Sequence, residues 1–437
     1  MILPFLLITT LFIFVLYSII NMLRNGDDVF ALAFFVLYIY TFFVQIGYVY
    51  FPDLSMLLSS YFGPDLFYKY WLFMSMSFLF SFIIYRKFKK ISFKKIYYNI
   101  TPSDTKYGRF LFYIISILLY IILNIYYYLN KGLFGWGDGN PMGSQWFGLG
   151  FGFYTVLTLI LYFIFRENLN KHIGNKFAFI LFILFFIFFL KISLAAGARS
   201  NILYFFLSLF FYELSPIALT LKNNRRKILI TFISFLFIIN FLSIISSIRM
   251  QDNSLTLSKV FSTQIEDTGS QNEEMLSQKI LLQDYYAPSH LLFISMNYGI
   301  IDPIETFKSN FYNSFVGFNY PFLTQTITSK IGLNYTRGEG FGYHYFVEGY
   351  NAVGWLGVFY NAIFLNIGLM FLISFAKSNN IYHNRKMLTI LVLILVGLMR
   401  SGQTCNFIRA FWMTLLPAFL MLVLASNNKI TFNKYGK

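Results

Sequence analysis

Apolar positions follow one another along most of this chain in long, nearly unbroken runs, and polar positions gather in short connections between them. A helix rising 1.5 Å per residue needs about 20 mostly apolar residues to cross a hydrocarbon layer of about 30 Å. Runs of roughly that kind are expected near 2–22, 29–50, 66–85, 110–129, 149–165, 177–195, 200–220, 227–248, 351–376, 387–400 and 409–425. The first has no basic leader and no small-residue cleavage site, so it reads as a retained span rather than a signal peptide. The pattern breaks once. From 249 to 350 about a hundred residues are polar and loop-like, with helical patches at 273–286 and 288–294 and a third opening at Asp302-Pro303-Ile304-Glu305. That last tetrad has a cap residue, a first-turn proline and an acid three places after the cap. Connections this long are functional or disordered, and the apolar stripes in these patches predict a folded lid lying on a membrane surface.

The pattern therefore predicts an all-α polytopic membrane protein of about 11 spans with one large loop. It divides into 1–248 with about eight spans, the loop 249–350, and 351–437 with about three spans and a tail. Only 12% of residues are charged, too few for a soluble domain of this length. The net charge of +16 would suggest nucleic acid, but its distribution does not. Alternate connections (23–28, 86–109, 166–176, 221–227, 377–386 and 426–437) hold 22 of the 34 Lys and Arg, and 86–109 alone holds eight. The positive-inside rule puts these in the cytoplasm, with the C-terminus, and puts 249–350 outside. Ten of the 18 acids fall in that loop. One cysteine, Cys405, leaves no intramolecular disulfide or thiolate cluster, and no HExxH or paired His/Cys pattern supports a metal site.

Chemistry then has to be sought at the outer ends of the spans. The turn LKISLAAGARSN carries Lys191 and Arg199 beside small residues that let an anion approach backbone N–H groups near a helix start. Arg249 follows the eighth span. The final outer turn, MRSGQTCNFIRAF, is bracketed by Arg400 and Arg409. With Arg337 in the loop, five arginines from separate parts of the chain fall on the side that is normally poor in bases. Guanidinium groups recognise phosphate bidentately and stay charged in apolar surroundings, so the set predicts a site for a lipid-linked phosphate or pyrophosphate.

The loop closes on its densest polar cluster, YTRGEGFGYHYFVEGYNAVGWLGV, with Tyr343, His344, Glu348 and Asn351. Glu348, Asn351 and Gly354 are three apart, which puts them on one face of a helix, while Gly354 and Gly357 would allow close helix packing there. A carboxylate at the mouth of an apolar cleft can have a raised pKa and act as a base; an acid in a first helical turn can equally be there for the helix dipole. His290 in the loop reads as a packed or capping residue. A Gly-rich connection at 130–148 offers Asp138, Asn140, Gln145, Trp136 and Trp146, types common on sugar-binding surfaces, while Asp27 and Asp28 read as solvated turn residues.

Taken in order, AAGARSN, VEGYNAVGWLGV after the large loop, and MRSGQTCNFIRAF resemble the bacterial Wzy-type O-antigen and capsule polymerases, which are related to the O-antigen ligases. Size, span count and loop position extend the resemblance over most of the chain. It implies a glycosyltransferase of the bacterial cytoplasmic membrane. Such an enzyme moves a growing glycan from undecaprenyl pyrophosphate to a sugar hydroxyl of an incoming lipid-linked repeat unit, without metal, nucleotide sugar or other cofactor. It also implies a chain-length regulator and a flippase as partners, and no nucleic acid. Carried onto this sequence, Arg199, Arg249, Arg337, Arg400 and Arg409 would hold pyrophosphate. Lys191, Tyr343 and Asn351 would contact substrate, and Glu348 or His344 would be the base. A ligase-like transferase, whose loop uses a histidine, and a lipid-linked oligosaccharide flippase are the alternative readings. Flippases keep ionisable groups at the bilayer midplane, often in repeated halves, and no repeat is visible here.

Overall fold

The computed structural model describes residues 2–39, 64–90, 98–102, 107–129, 141–168, 176–195, 199–214, 302–315, 320, 323, 326, 344–378, 380–400, 404–426 and 428–432. Its helices are α1 (Ile2–Arg24), α2 (Asp28–Phe34, continued by a π-helical turn Phe35–Ile39), α3 (Pro64–Lys90), α4 (Tyr107–Leu129), α5 (Pro141–Asn168), α6 (Lys176–Ala195) and α7 (Arg199–Leu214). After the gap come α8 (Pro303–Asn313), α9 (Tyr345–Val353), α10 (Trp355–Ala376), α11 (Ile381–Arg400) and α12 (Thr404–Ala425). Ten of the expected hydrophobic runs fall wholly or partly on these helices, and 227–248 lies outside the described residues. Four helices are long and apolar enough to cross a membrane among the described residues: Leu6–Arg24 within α1, α4, α10 and α12.

Aromatic packing, rather than polar contact, joins the helices. Phe34 and Tyr38 of α2 meet Phe78 of α3 edge to face, and Phe14 of α1 meets the same ring. Such contacts add about 0.5–1.5 kcal/mol each beyond the area they bury. Isolated polar pairs fix the register: the Tyr38 hydroxyl donates to Ser81 Oγ at 3.2 Å, and Asn366 Nδ2 of α10 donates to the Ser81 carbonyl at 3.2 Å. In α12 a π-helical turn, Ala410–Leu415, precedes Pro417. Proline has no N–H and its ring crowds the carbonyl four residues back, so a locally widened turn removes the clash.

Two short strands depart from the all-α expectation. β1 (Tyr98–Pro102) and β2 (Asn428–Phe432) pair antiparallel, with Ile100 opposite Ile430. They tie the basic connection after α3 to the segment after α12, and Arg109 Nε donates to the Ala425 carbonyl at 3.1 Å beside them. A second departure concerns the Gly-rich connection at 130–148. Helix α5 already starts at Pro141, so Gln145 and Trp146 belong to its first turns. Asn140-Pro141 is a cap-and-proline pair of the kind that opens helices.

Antiparallel packing sets which helix ends meet. Arg385 at the start of α11 donates to the Tyr212 carbonyl near the end of α7 and stacks 4.2 Å over the Tyr212 ring. His383 meets Phe419 near the end of α12 at 5.7 Å between ring centroids. At this end Glu213 accepts from Arg166 Nε at 3.0 Å and from the Tyr162 hydroxyl at 2.9 Å, and buried Lys386 pairs with Glu167 at 2.7 Å. The opposite end of the same bundle holds the start of α7, the end of α11 and the start of α12.

Candidate functional site

At that opposite end a carboxylate carried by one helix is held by donors from two other chain segments. The expected helix at Asp302 forms as α8, with the Asp302 side chain accepting from Ile304 N–H at 2.9 Å and Pro303 in the first turn. The acid of the tetrad takes another partner: Glu305 accepts from the Tyr320 hydroxyl at 2.8 Å. The helix is amphipathic in an inverted sense. Thr306, Ser309 and Asn313 are buried, while Ile304, Phe307 and Phe311 point outward, Phe307 at 69% exposure. Its inward face packs on α9 and on the start of α12.

Helix α9 begins at Tyr345, so Glu348 and Asn351 share a buried face, as their spacing predicts. Glycines govern how α9 meets α10, but not the expected pair. Gly354 breaks the chain between the two helices at φ 66°, which only glycine adopts readily. The close approach is between Gly349 and Gly357. A Cβ on Gly349 would stand 2.1 Å from the Gly357 carbonyl oxygen, and one on Gly357 would stand 1.7 Å from that of Gly349. Asn361 Nδ2 of α10 donates to the Tyr345 carbonyl at 2.8 Å and secures the same junction.

Glu348 is 3% exposed. Asn310 Nδ2 of α8 donates to its Oε1, and the backbone N–H of Thr404, the first residue of α12, donates to its Oε2 at 2.8 Å. Asn310 is itself oriented, since its Oδ1 accepts from the Cys405 N–H at 3.1 Å. Burial pushes the Glu348 carboxyl up to about 7, with the donors from Thr404 and Asn310 opposing the rise in part. Such a group is poised to exchange a proton near neutral pH. The buried Thr404 hydroxyl lies beside both the Glu348 carboxyl and the Tyr345 hydroxyl.

His344 occupies a different place. It caps α9, its Nδ1 accepting from Phe346 N–H at 3.4 Å, while its Nε2 lies 3.3 Å from the Leu37 carbonyl on the π-helical turn of α2. Burial lowers its imidazole to about 4, so it stays neutral, with the Nε2 proton on Leu37 and the Nδ1 lone pair on the cap. Asn310 and Thr404, the partners of Glu348, and Cys405, which orients Asn310, were missed in the sequence. Nothing local marks an Asn 38 residues away or a backbone N–H 56 residues away.

The expected anion-binding residues divide into two groups. Arg199 is the first residue of α7 and Arg400 the last of α11; these helices are antiparallel, so both stand at the Glu348 end of the bundle. Arg409 lies one turn beyond Cys405 on α12 and is partly exposed. Lys191 of α6 is exposed, its ammonium 5.1 Å over the Tyr127 ring. Arg249, Arg337 and Tyr343 lie outside the described residues, as do His290 and the patches at 273–286 and 288–294. Asp27, read as a solvated turn residue, instead accepts from Lys89 Nζ at 2.6 Å and from the Tyr85 hydroxyl.

A family model for the O-antigen polysaccharide polymerase Wzy matches residues 171–431, about three-fifths of the chain, including Glu348 and its partners Asn310 and Thr404. No curated protein and no solved structure matches.

Proposed function

Because the chain belongs to the O-antigen polysaccharide polymerase Wzy family, we propose that it joins undecaprenyl-pyrophosphate-linked repeat units at the outer face of the bacterial cytoplasmic membrane, with Glu348 as general base. Family membership carries repeat-unit polymerisation in a multi-pass membrane protein. The observation that supports the finer reading is the buried Glu348 carboxylate, held by α8 and α12 at the bundle end that also receives Arg199 and Arg400.

In the step proposed, a sugar hydroxyl of the incoming unit attacks the anomeric carbon of the growing glycan. Its proton passes to Glu348, the new glycosidic bond forms, and the bond from the anomeric carbon to the pyrophosphate oxygen breaks. Undecaprenyl pyrophosphate leaves with the electron pair. Arg199, Arg249, Arg337, Arg400 and Arg409 neutralise that charge, which preorganised guanidinium groups do best where water is excluded. Lys191, Tyr343 and Asn351 are assigned to substrate contact. The Tyr345 hydroxyl and Thr404 Oγ1 supply hydrogen-bonding capacity for the acceptor beside the base. The outward apolar stripe of α8 suits a helix resting in the headgroup boundary, so that a substrate anchored by its lipid enters from the side.

A ligase-like reading would place the chemistry on a histidine, and the engagement of both His344 nitrogens with backbone speaks for Glu348 instead. The deciding test is reconstitution of the pure protein in liposomes with a synthetic undecaprenyl-pyrophosphate repeat unit. Wild type should produce a polymer ladder. Glu348→Gln should lower turnover by roughly 10²–10⁴-fold, the usual contribution of a positioned base, while binding of the lipid substrate persists. A ladder of normal rate from Glu348→Gln removes the base assignment. Substrate crossing the bilayer without new bonds removes the polymerase reading of the site altogether.

A further inference from the structure

Resting on the reading of Glu348 as base, we infer that Asn310 of α8 is the positioning residue that orients this carboxylate and tunes its proton affinity from the lid. The geometry points to this role and to no other side chain on α8. Asn310 makes two directed bonds at once, giving Nδ2–H to Glu348 Oε1 and taking the Cys405 N–H on its Oδ1. The amide is thereby locked in one flip state, with its donor edge on the carboxylate. The second carboxylate oxygen is already committed to the Thr404 N–H, so the two donors fix the carboxylate plane against the start of α12. Asn310 reaches this place because the inward face of α8 is polar and the opposite face, Ile304, Phe307 and Phe311, is apolar and exposed. The way the lid helix lies therefore decides where its amide stands.

Other groups that could tune Glu348 are few. Tyr345 on its own helix and the Cys405 thiol on α12 face it, and Arg409 stands one turn past Cys405. On α8, Glu305 is turned to Tyr320 and Lys308 is exposed; on α10, Tyr360 is exposed. Asn310 is the side chain outside α9 and α12 that donates to the carboxylate among the described residues. Loss of a donor to the charged form raises a carboxyl pKa. Asn310→Asp keeps an acceptor for Cys405 N–H, removes the donor and adds a like charge, so it moves Glu348 further in the same direction.

The test uses the full chain in liposomes, with wild type, Glu348→Gln, Asn310→Ala and the nearly isosteric Asn310→Asp compared by two readouts. One is the acid limb of turnover against pH; the other is titration of the carboxylic C=O infrared band that Glu348→Gln abolishes. The expected result is a midpoint near 7 in wild type that rises in Asn310→Ala and more in Asn310→Asp. A shift of half to one pH unit is about a three- to tenfold loss of turnover on the acid side. Half-saturating substrate should change little. An unmoved infrared midpoint and acid limb in both Asn310 variants, with Glu348→Gln inactive, overturns this inference and leaves the base assignment standing. Faster turnover in Asn310→Ala also overturns it, since Asn310 would then be a block to be displaced. If Glu348→Gln turns over normally, the base assignment falls and takes this inference with it.

Discussion

His344 and Glu348 sit four residues apart, yet their surroundings give them opposite character. The imidazole is buried with both nitrogens satisfied by backbone, which favours its neutral form and leaves no lone pair for a substrate proton. The carboxylate is as deeply buried, but its partners are all donors, so it keeps lone-pair capacity together with a raised pKa. Asn is a good helix cap, whereas an apolar residue at the cap position costs about 1 kcal/mol. His344→Asn should therefore polymerise within about threefold of wild type, while His344→Leu loses roughly that 1 kcal/mol in thermal unfolding. Loss of all polymer in a well-folded His344→Asn protein would assign the chemistry to the imidazole. At this scale the sequence showed Glu348 and Asn351, because three-residue spacing on a helix is a local property. It could not show that Asn310 and Thr404 complete the site, since those contacts depend on how distant segments dock.

Helices α8, α9 and α10 show the same division. The start of α8 was legible in Asp302-Pro303 because a cap acts within one turn. The role of each glycine was not. Gly349, Gly354 and Gly357 look alike in sequence, and only the packing separates a positive-φ hinge from two positions where backbone meets backbone. Their substitutions should differ accordingly. Gly354→Ala meets open space and costs mainly its positive-φ backbone, about 1–3 kcal/mol. Gly349→Ala or Gly357→Ala forces α9 away from α10, because neither carbonyl can retreat within its helix. Overpacking against backbone should cost about 3 kcal/mol or more and displace Glu348 from its two donors. Thermal unfolding in detergent should rank Gly354→Ala as the mildest of the three. A Gly357→Ala protein with wild-type stability and turnover would mean that these helices are not in contact as described. The β1–β2 ribbon escaped detection for a related reason: YNITP and NKITF are five-residue stretches in basic connections, with nothing nearby to mark them as partners.

At the scale of the whole molecule, the described residues that flank the antiparallel bundle put charge at its two ends. One end holds the pairs Arg166–Glu213 and Lys386–Glu167, with Arg385 on the Tyr212 carbonyl and ring. The other holds Glu348 and the backbone positions of Arg199 and Arg400. From Arg385 to Arg400 the helix rises about 22 Å, less than the ~30 Å of hydrocarbon. If the paired end sits at the cytoplasmic headgroups, as the bias of the basic connections predicts, the arginine end lies recessed below the outer surface. A recessed, water-poor site strengthens the hold of guanidinium groups on a pyrophosphate, which is where neutralising a leaving group matters most. Orientation is therefore the condition on which the arginine assignments depend, and it can be read directly. In a Cys405→Ser background, Lys308→Cys on exposed α8 should react with a membrane-impermeant maleimide on intact cells. Tyr382→Cys, 72% exposed at the other end, should react only after the membrane is opened. With that pattern in hand, Ala at Arg199, Arg400 or Arg409 should abolish long polymer while membrane expression persists. The reverse labelling pattern would put the carboxylate and its arginines on the cytoplasmic side, where no outer-face polymerisation could use them.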